Sequence, residues 1–367
     1  MQFQRVLIIG SGLLGASLGL RLRMLGVEVF LEDNSPMACS LARDLGAGVI
    51  ASKDEDIRPD LVIVAVPPDV TPRVVCETLE RFDDAIVTDV ASVKKRIAEG
   101  VNGHSQAHRY IGSHPMAGRE RSGAIAADAD LFEGRPWVVC AGPTVSPDTV
   151  LAIQQLALEV GAMPVMLEPA EHDRAVALVS HVPQLVSSLV AGTLRGASAK
   201  DLGLAGQGLR DVTRIASSDS ALWTSIIAGN SRFIAPILED IGKGALDLAA
   251  ALRQGEENPG APGVTVNVAQ VIKRGNDGVD RIPGKHGGAP ERYTHVFVLI
   301  PDKPGELGRL FSDIRDIGAN VEDFSLEHSV SQQVGRGEIS VIPSAAKFLA
   351  SGLEERGWQV FIEGGEQ

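Results

Sequence analysis

The chain has 367 residues, 34 Lys and Arg against 47 Asp and Glu, a net charge of −13, and only 4% aromatic residues. Such a length holds two or three domains, and an acidic balance with no long basic tract excludes a nucleic-acid surface, so any anionic ligand must be caught by a local group of cations. Cys39, Cys76 and Cys140 are scattered and odd in number, which argues against a disulfide framework or zinc site. With a first strand almost at the N-terminus and no apolar run near the ~18 residues that span a bilayer, the expectation is a soluble, cytoplasmic chain.

Val6 to Ile9 form an apolar, β-branched run suited to a buried parallel strand, followed directly by Gly10-x-Gly12-x-x-Gly15. The first glycine of such a turn permits the tight bend, the second lets a pyrophosphate approach bare backbone, and the third seats the helix close to the strand. The helix start then offers unpaired N–H groups and a positive dipole end to the anion. Leu14, Leu18, Leu22 and Leu25 share a helical face, Gly26 stops the helix, and Val27 to Leu31 read as the second strand, ending in Glu32 and Asp33. An acid about 20 residues beyond the turn accepts from the ribose hydroxyls of NAD and repels the extra phosphate of NADP. Asp33 is the preferred acceptor over Glu32.

The alternation continues with a helix over Met37 to Leu45, a strand over Leu61 to Val66 ending at Pro67-Pro68, a helix over Thr71 to Arg81 and a strand over Ala85 to Asp89. Repeated βα units predict a parallel sheet with ligands at the carboxyl ends of its strands. Gly10, Gly12 and Gly15, with Leu13, Leu14, Val66, Pro67 and Asp33, are therefore the candidate NAD contacts. Tyr110-Ile111, Trp137 to Cys140 and Met163 to Leu167 are further strand-like runs, completing a dinucleotide-binding domain over 1–168.

From Pro169 the pattern turns to helices. Arg174 to Leu194 is apolar on more than one face, which marks a helix in a core or subunit interface, and Pro183 kinks it beside Ser180-His181. Further helices are expected over Leu222 to Asn230 and Phe233 to Leu252, giving a helical domain over 169–255 that joins two copies into a homodimer. Residues 256–292, rich in Gly and Pro, read as a linker with one short helix around Val268 to Lys273. A third domain over 293–367 shows the order βαββαβ, the ferredoxin-like arrangement.

His114 follows a strand-like run in what reads as a loop of small residues. A histidine at the nicotinamide end of such a sheet can take the proton of a hydroxyl whose carbon gives up a hydride; a solvated loop histidine is the alternative. His181, at the kink, reads equally as a structural group bonded to a freed carbonyl. Arg210 and Arg214 share a face if helical and could hold carboxylates; a plain solvated surface is the alternative. Trp223 is large enough to wall a ring pocket, though core packing explains it equally well.

Five motifs in order, Gly10-x-Gly12-x-x-Gly15-x-Ser17-x-Gly19, Thr88-Asp-x-x-Ser92-x-Lys94, Gly112-Ser-His114-Pro-Met-Ala-Gly-x-Glu120-x-Ser-Gly123, Ser180-His181-x-Pro and Arg210-Asp211-x-Thr-Arg214-Ile-Ala, resemble the prephenate/arogenate dehydrogenases of tyrosine biosynthesis, from about residue 3 to 255. The tail, with Asp302-Lys-Pro304-Gly305-Glu-Leu307, resembles an ACT domain. The first resemblance implies NAD-dependent oxidative decarboxylation of prephenate to 4-hydroxyphenylpyruvate. It also implies that His114 draws off the C4 hydroxyl proton with support from Ser92, that Arg214 binds a carboxylate, that His181 contacts substrate, and that Glu120, Asp211 and Trp223 line or gate the pocket. Arg210 stands where some relatives carry lysine. The ACT resemblance implies tyrosine as an effector, bound at Asp302, Pro304 and Gly305. Arogenate dehydrogenase, a non-catalytic nucleotide or amino-acid sensor and a dehydrogenase of small β-hydroxy acids are the competing readings.

Overall fold

The computed structural model describes residues 2–52, 57–119, 121, 123–257, 263–282, 293–328 and 334–362. The chain divides into two compact units, Met1–Gly244 and Ala245–Gln367.

In the first unit, β1 (Arg5–Ile9), β2 (Glu28–Glu32), β3 (Val49–Ile50), β4 (Leu61–Val64), β5 (Ile86–Asp89), β6 (Tyr110–Pro115), β7 (Pro136–Ala141) and β8 (Met163–Met166) form one sheet in the order β3-β2-β1-β4-β5-β6-β7-β8. The short β3, bounded by exposed valine and isoleucine, is an addition to the expected strands. The chain order reverses between β1 and β4, which opens a crevice at the ends of these strands, the usual ligand position of a doubly wound sheet. Apolar cores cover both faces: Val6, Ile8, Leu18, Leu22 and Ile63 belong to one, and Leu7, Val62, Val64, Val75, Leu79 and Ile97 to the other. This two-sided burial explains why β1 and β4 read as unbroken apolar runs rather than alternating ones.

One expectation fails here. The sheet is not wholly parallel: β7 runs antiparallel to β6, with His114 opposite Val138. Among its described residues the connection between them contains only the short 3-10 turn Ala124–Ala126, and not the crossover helix by which a parallel return is usually made. The second difference follows from it. His114 lies within β6, buried, and not in a small-residue loop beyond it.

The helix Pro169–Val176 continues through a single π turn, Ala177–His181, into the helix Val182–Thr193. Pro183 has no N–H to close the turn onto the Val179 carbonyl, and the helix widens just before it. By length and hydropathy, Pro169–Gly196 qualifies as a membrane span, contrary to the sequence expectation that no run does. Its His172, Asp173 and His181, together with Val176, Ala177 and Val182, are buried, though 33% of the apolar window is buried as a whole. Ser220–Gly229 packs on the loop after β5: a Cβ added at Gly229 would meet Val93 Cγ2 at 3.2 Å. The last helix, Ser231–Glu257, is longer than expected and crosses the division between units.

In the second unit, the helix Val264–Val279 occupies much of the segment read as linker, a correction to the short helix expected there. Its Val266, Val271 and Ile272 are exposed, an apolar pattern that the glycines and charges around it obscured. Residues 283–292 of that linker lie outside the described residues. Strands β9 (Thr294–Pro301), β10 (Asp323–His328), β11 (Val334–Val341) and β12 (Gln359–Ile362), with the helices Glu306–Ile317 and Pro343–Glu354, follow the order βαββαβ. They form an antiparallel sheet ordered β10-β11-β9-β12. Its core holds Val296, Val298, Leu310, Ile314, Leu349, Leu353 and Trp358.

Candidate active site

The glycine turn after β1 has the form its sequence requires. Gly10 adopts φ +107, and a Cβ there would lie 2.3 Å from the Ala65 carbonyl oxygen. At Gly15 a Cβ would meet the Gly10 carbonyl oxygen at 1.9 Å, whereas at Gly12 it would meet nothing within 4 Å. Two glycines thus pack the turn and one keeps open space before it. Asp33 is fixed beside the turn, accepting from Ser11 N at 2.6 Å and Ser35 N at 2.8 Å. Glu32 is occupied by Arg81 at 2.7 Å, which leaves Asp33 as the carboxylate facing the turn. Val66 and Pro67 follow β4, and Val66 Cγ1 lies against Gly10. This cradle fits a dinucleotide pyrophosphate.

Further along the sheet, β5, β6 and the helix from Pro169 bring three side chains into a row. His114 Nδ1 lies 2.8 Å from His172 Nε2, and His172 Nδ1 lies 2.8 Å from Asp173 Oδ1. Asp173 also accepts Lys94 N at 2.7 Å on Oδ1 and Lys95 N at 3.0 Å on Oδ2. Exposure is 8% at His114 but 0% at His172 and 1% at Asp173, so the row reaches the surface only at His114. Burial, and next the neighbouring His172 and Lys94, push the His114 pKa well below 6.5. Burial lowers His172 as well, against the opposing hydrogen bond from Asp173. His114 is therefore neutral at pH 7, the state a proton acceptor needs.

Behind this row, Asp89 and Lys94 form a buried ion pair. Asp89 also accepts from Ala91 N at 2.8 Å and Tyr110 OH at 2.6 Å. These bonds brace the loop after β5, on which Ser92 sits. No hydrogen bond joins Ser92 to His114 among the described residues; the polar partner of His114 is His172.

His181 is buried, with Nδ1 3.0 Å from Asn230 Nδ2 and its ring edge-on to Trp223 at 6.1 Å. The same amide donates to the Asp173 carbonyl at 2.7 Å. The partner of His181 is thus a side chain, not a carbonyl freed by Pro183. Burial lowers its pKa to about 4.

An open cleft of about 720 Å³ is lined by Gly118, Arg119, Arg121, Ile125, Ala126, Gln184, Arg214, Ile215, Ser218 and Trp223. Arg119 is ion-paired to Asp128. Arg210 and Asp211, exposed like Arg214, are not among the residues that line this cleft. The α-helix Gln207–Thr213 gives way to a 3-10 turn at Arg214. Asp211 instead accepts from Gln207 Nε2 at 2.8 Å. Glu120 lies outside the described residues.

Sequence reasoning missed His172, Asp173, Asn230, Arg119 and Arg121. For His172 and Asp173 a signal existed: Pro169 after Glu168 marks a helix start, and Glu168 and Glu171 close a capping box there. Placing the start at Arg174 left both residues outside the helix.

The nucleotide-binding domain model of prephenate dehydrogenase matches residues 17–166, and the prephenate dehydrogenase dimerization domain model matches residues 168–259. A probable prephenate dehydrogenase of Streptomyces niveus is 34% identical over 362 residues, covering 96% of this chain and 98% of its own. The crystal structure of prephenate dehydrogenase from A. aeolicus, in complex with hydroxyphenyl propionate and NAD+, is similar at 27% identity and a TM-score of 0.65, over 76% of this chain and 99% of that one. Synechocystis arogenate dehydrogenase follows at 26% identity and a TM-score of 0.59, over 75% and 99%.

Proposed function

The chain belongs to the prephenate dehydrogenase family, and from that premise we propose that it converts prephenate to 4-hydroxyphenylpyruvate and CO2, with NAD as the oxidant. The observation that carries this reading is His114 near the end of β6, the exposed end of a buried histidine row, on a sheet whose glycine turn fits a dinucleotide. Oxidised nicotinamide, when bound, accepts the hydride from C4. As that hydride leaves, His114 takes the C4 hydroxyl proton. The ring then expels its quaternary carboxylate as CO2, the bonding pair aromatises the ring, and the proton returns to the phenolic oxygen. Aromatisation supplies the driving force, so the protein has to place a base and fix the substrate's orientation.

Arg214 and Arg121 line the cleft with guanidinium groups that attract the two carboxylates of prephenate and oppose the ammonium group of arogenate, while Arg119 is held by Asp128. Trp223 gives the cleft an aromatic wall. Gly10, Gly12, Gly15, Leu13, Leu14, Val66 and Pro67 bind NAD, with Asp33 on the ribose hydroxyls. His181 backs the Trp223 wall from its buried position, and Ser92 acts by contacting substrate rather than His114. The test is NADH formation by the full chain with prephenate and arogenate separately, each with NAD and NADP. Turnover of prephenate with NAD supports the reading, and preference for arogenate would replace it.

The remaining assignments have separate supports. The exposed Leu178, Val179 and Leu189, on helices matched by a dimerization domain, fit a homodimer. The βαββαβ unit fits an ACT domain, where Asp302, Pro304 and Gly305 line a hollow of about 360 Å³ at the start of the helix Glu306–Ile317. A helix start with Gly305 at φ +94 suits the carboxylate of tyrosine as effector. Three free cysteines fit a cytoplasmic enzyme.

A further inference from the structure

We propose that His172 and Asp173 are positioning residues that hold His114 in a single tautomer, its proton on Nδ1 and its lone pair on Nε2, facing the substrate. The inference rests on the reading of His114 as the base. It follows from counting donors along the row. Asp173 accepts two backbone N–H groups, from Lys94 on Oδ1 and Lys95 on Oδ2, so both oxygens act as acceptors. A carboxylate can only accept, so the 2.8 Å contact to His172 Nδ1 requires the proton on that nitrogen. A neutral His172 then has a bare Nε2. The 2.8 Å contact from His172 Nε2 to His114 Nδ1 is a hydrogen bond only if His114 Nδ1 donates. One tautomer of His114 satisfies every member of the row, and it is the one with an accepting Nε2.

The row also acts during turnover. When Nε2 takes the hydroxyl proton, His114 becomes an imidazolium whose Nδ1–H donates to His172, with the Asp173 charge behind it. This is the logic by which a carboxylate orients and supports a catalytic histidine, extended by one imidazole. No proton leaves the site: the one taken at Nε2 returns to the phenolic oxygen, and the Nδ1 and His172 protons stay in place. The asymmetry of burial agrees, since His172 and Asp173 are closed off and His114 alone is open.

The experiment is nitrogen-proton multiple-bond NMR on the full chain with 15N-labelled histidine at neutral pH, using His114→Asn to assign the His114 signals. A protonated Nδ1 and a bare Nε2 on His114 are expected, and a proton on Nε2 would overturn the proposal. This measurement needs no substrate. Failure to turn over prephenate would therefore refute the activity while leaving the tautomer assignment standing.

Asp173→Asn can place an N–H donor against His172 Nδ1, which reverses the bonds along the row at the loss of the Lys94 N bond made to the same oxygen. It should interchange the His114 signals and lower kcat by about 10³- to 10⁴-fold, the scale of losing the correct tautomer, with KM and NAD affinity retained. Wild-type signals with wild-type kcat would overturn the proposal. Should Asp173→Asn fail to fold, His172→Phe removes the acceptor without disturbing the Asp173 backbone bonds. It should leave His114 as a mixture of tautomers with lowered kcat, and an unchanged single tautomer would count against us.

Discussion

Gly12→Ala separates cofactor binding from folding in a way the turn geometry makes quantitative. The backbone of Gly12 lies at φ −74 and ψ −164, which alanine adopts without strain, and an added methyl meets no protein atom within 4 Å. Alanine is a slightly poorer helix cap than glycine but loses less entropy on folding, so stability should change by less than about 1 kcal/mol. The methyl would stand in the space a pyrophosphate needs. Losing even one hydrogen bond to a charged group costs about 1.5 to 3 kcal/mol, so NAD should bind roughly ten- to a hundredfold more weakly. Gly15→Ala is the control: its methyl would lie 1.9 Å from the Gly10 carbonyl oxygen, a backbone atom that moves only with the helix. Overpacking of this kind destabilises by about 1 to 3 kcal/mol. Fluorescence titration with NAD and thermal melts without ligand measure the two quantities. Wild-type NAD affinity in Gly12→Ala, or a melt as damaged as that of Gly15→Ala, would refute the reasoning.

Other perturbations test separate links of the argument. His114→Asn should lower kcat by about 10²- to 10⁴-fold and abolish the acidic limb of the pH profile, while Arg214→Ala should chiefly raise KM, both read by steady-state NADH formation. Asp33→Ala should weaken NAD by about 1 to 3 kcal/mol and reduce its preference over NADP, measured by titration with each. Stability should fall on acidification, because burial holds the pKa values of His114, His172 and His181 below 6.5 and the unfolded chain takes up protons first. The full contribution is present above pH 6.5 and declines as pH falls below it; the share of His181, about 3 kcal/mol, is lost as pH falls to about 4, its folded value. Thermal melts across that range should show the decline, and a smaller one in His181→Asn. Truncation before Tyr293 should abolish inhibition by tyrosine in the NADH assay; inhibition that persists would place the effector in the catalytic cleft.

The parts of this protein legible in its sequence are those that local chemistry dictates. The glycine turn is readable because a positive φ at Gly10 and a contact at Gly15 exclude every side chain, and the flanking strands because apolar cores on both faces demand unbroken β-branched runs. Helix Thr71–Arg81 was read to its ends, with Pro72 at its first turn to mark the start. The position of Arg214 on the cleft followed only from motif, since its neighbour Arg210 has the same chemistry and is not among the cleft's lining residues. What tertiary structure alone decided is the company His114 keeps. His172 and Asp173 lie more than fifty residues away, on a helix whose start was misplaced, and their meeting depends on β6 turning back as the antiparallel β7 and on the helix from Pro169 seating against the loop after β5. Hydrogen bonds between distant segments leave no periodicity in the chain; they are set by where the packed sheet and helices bring the backbone.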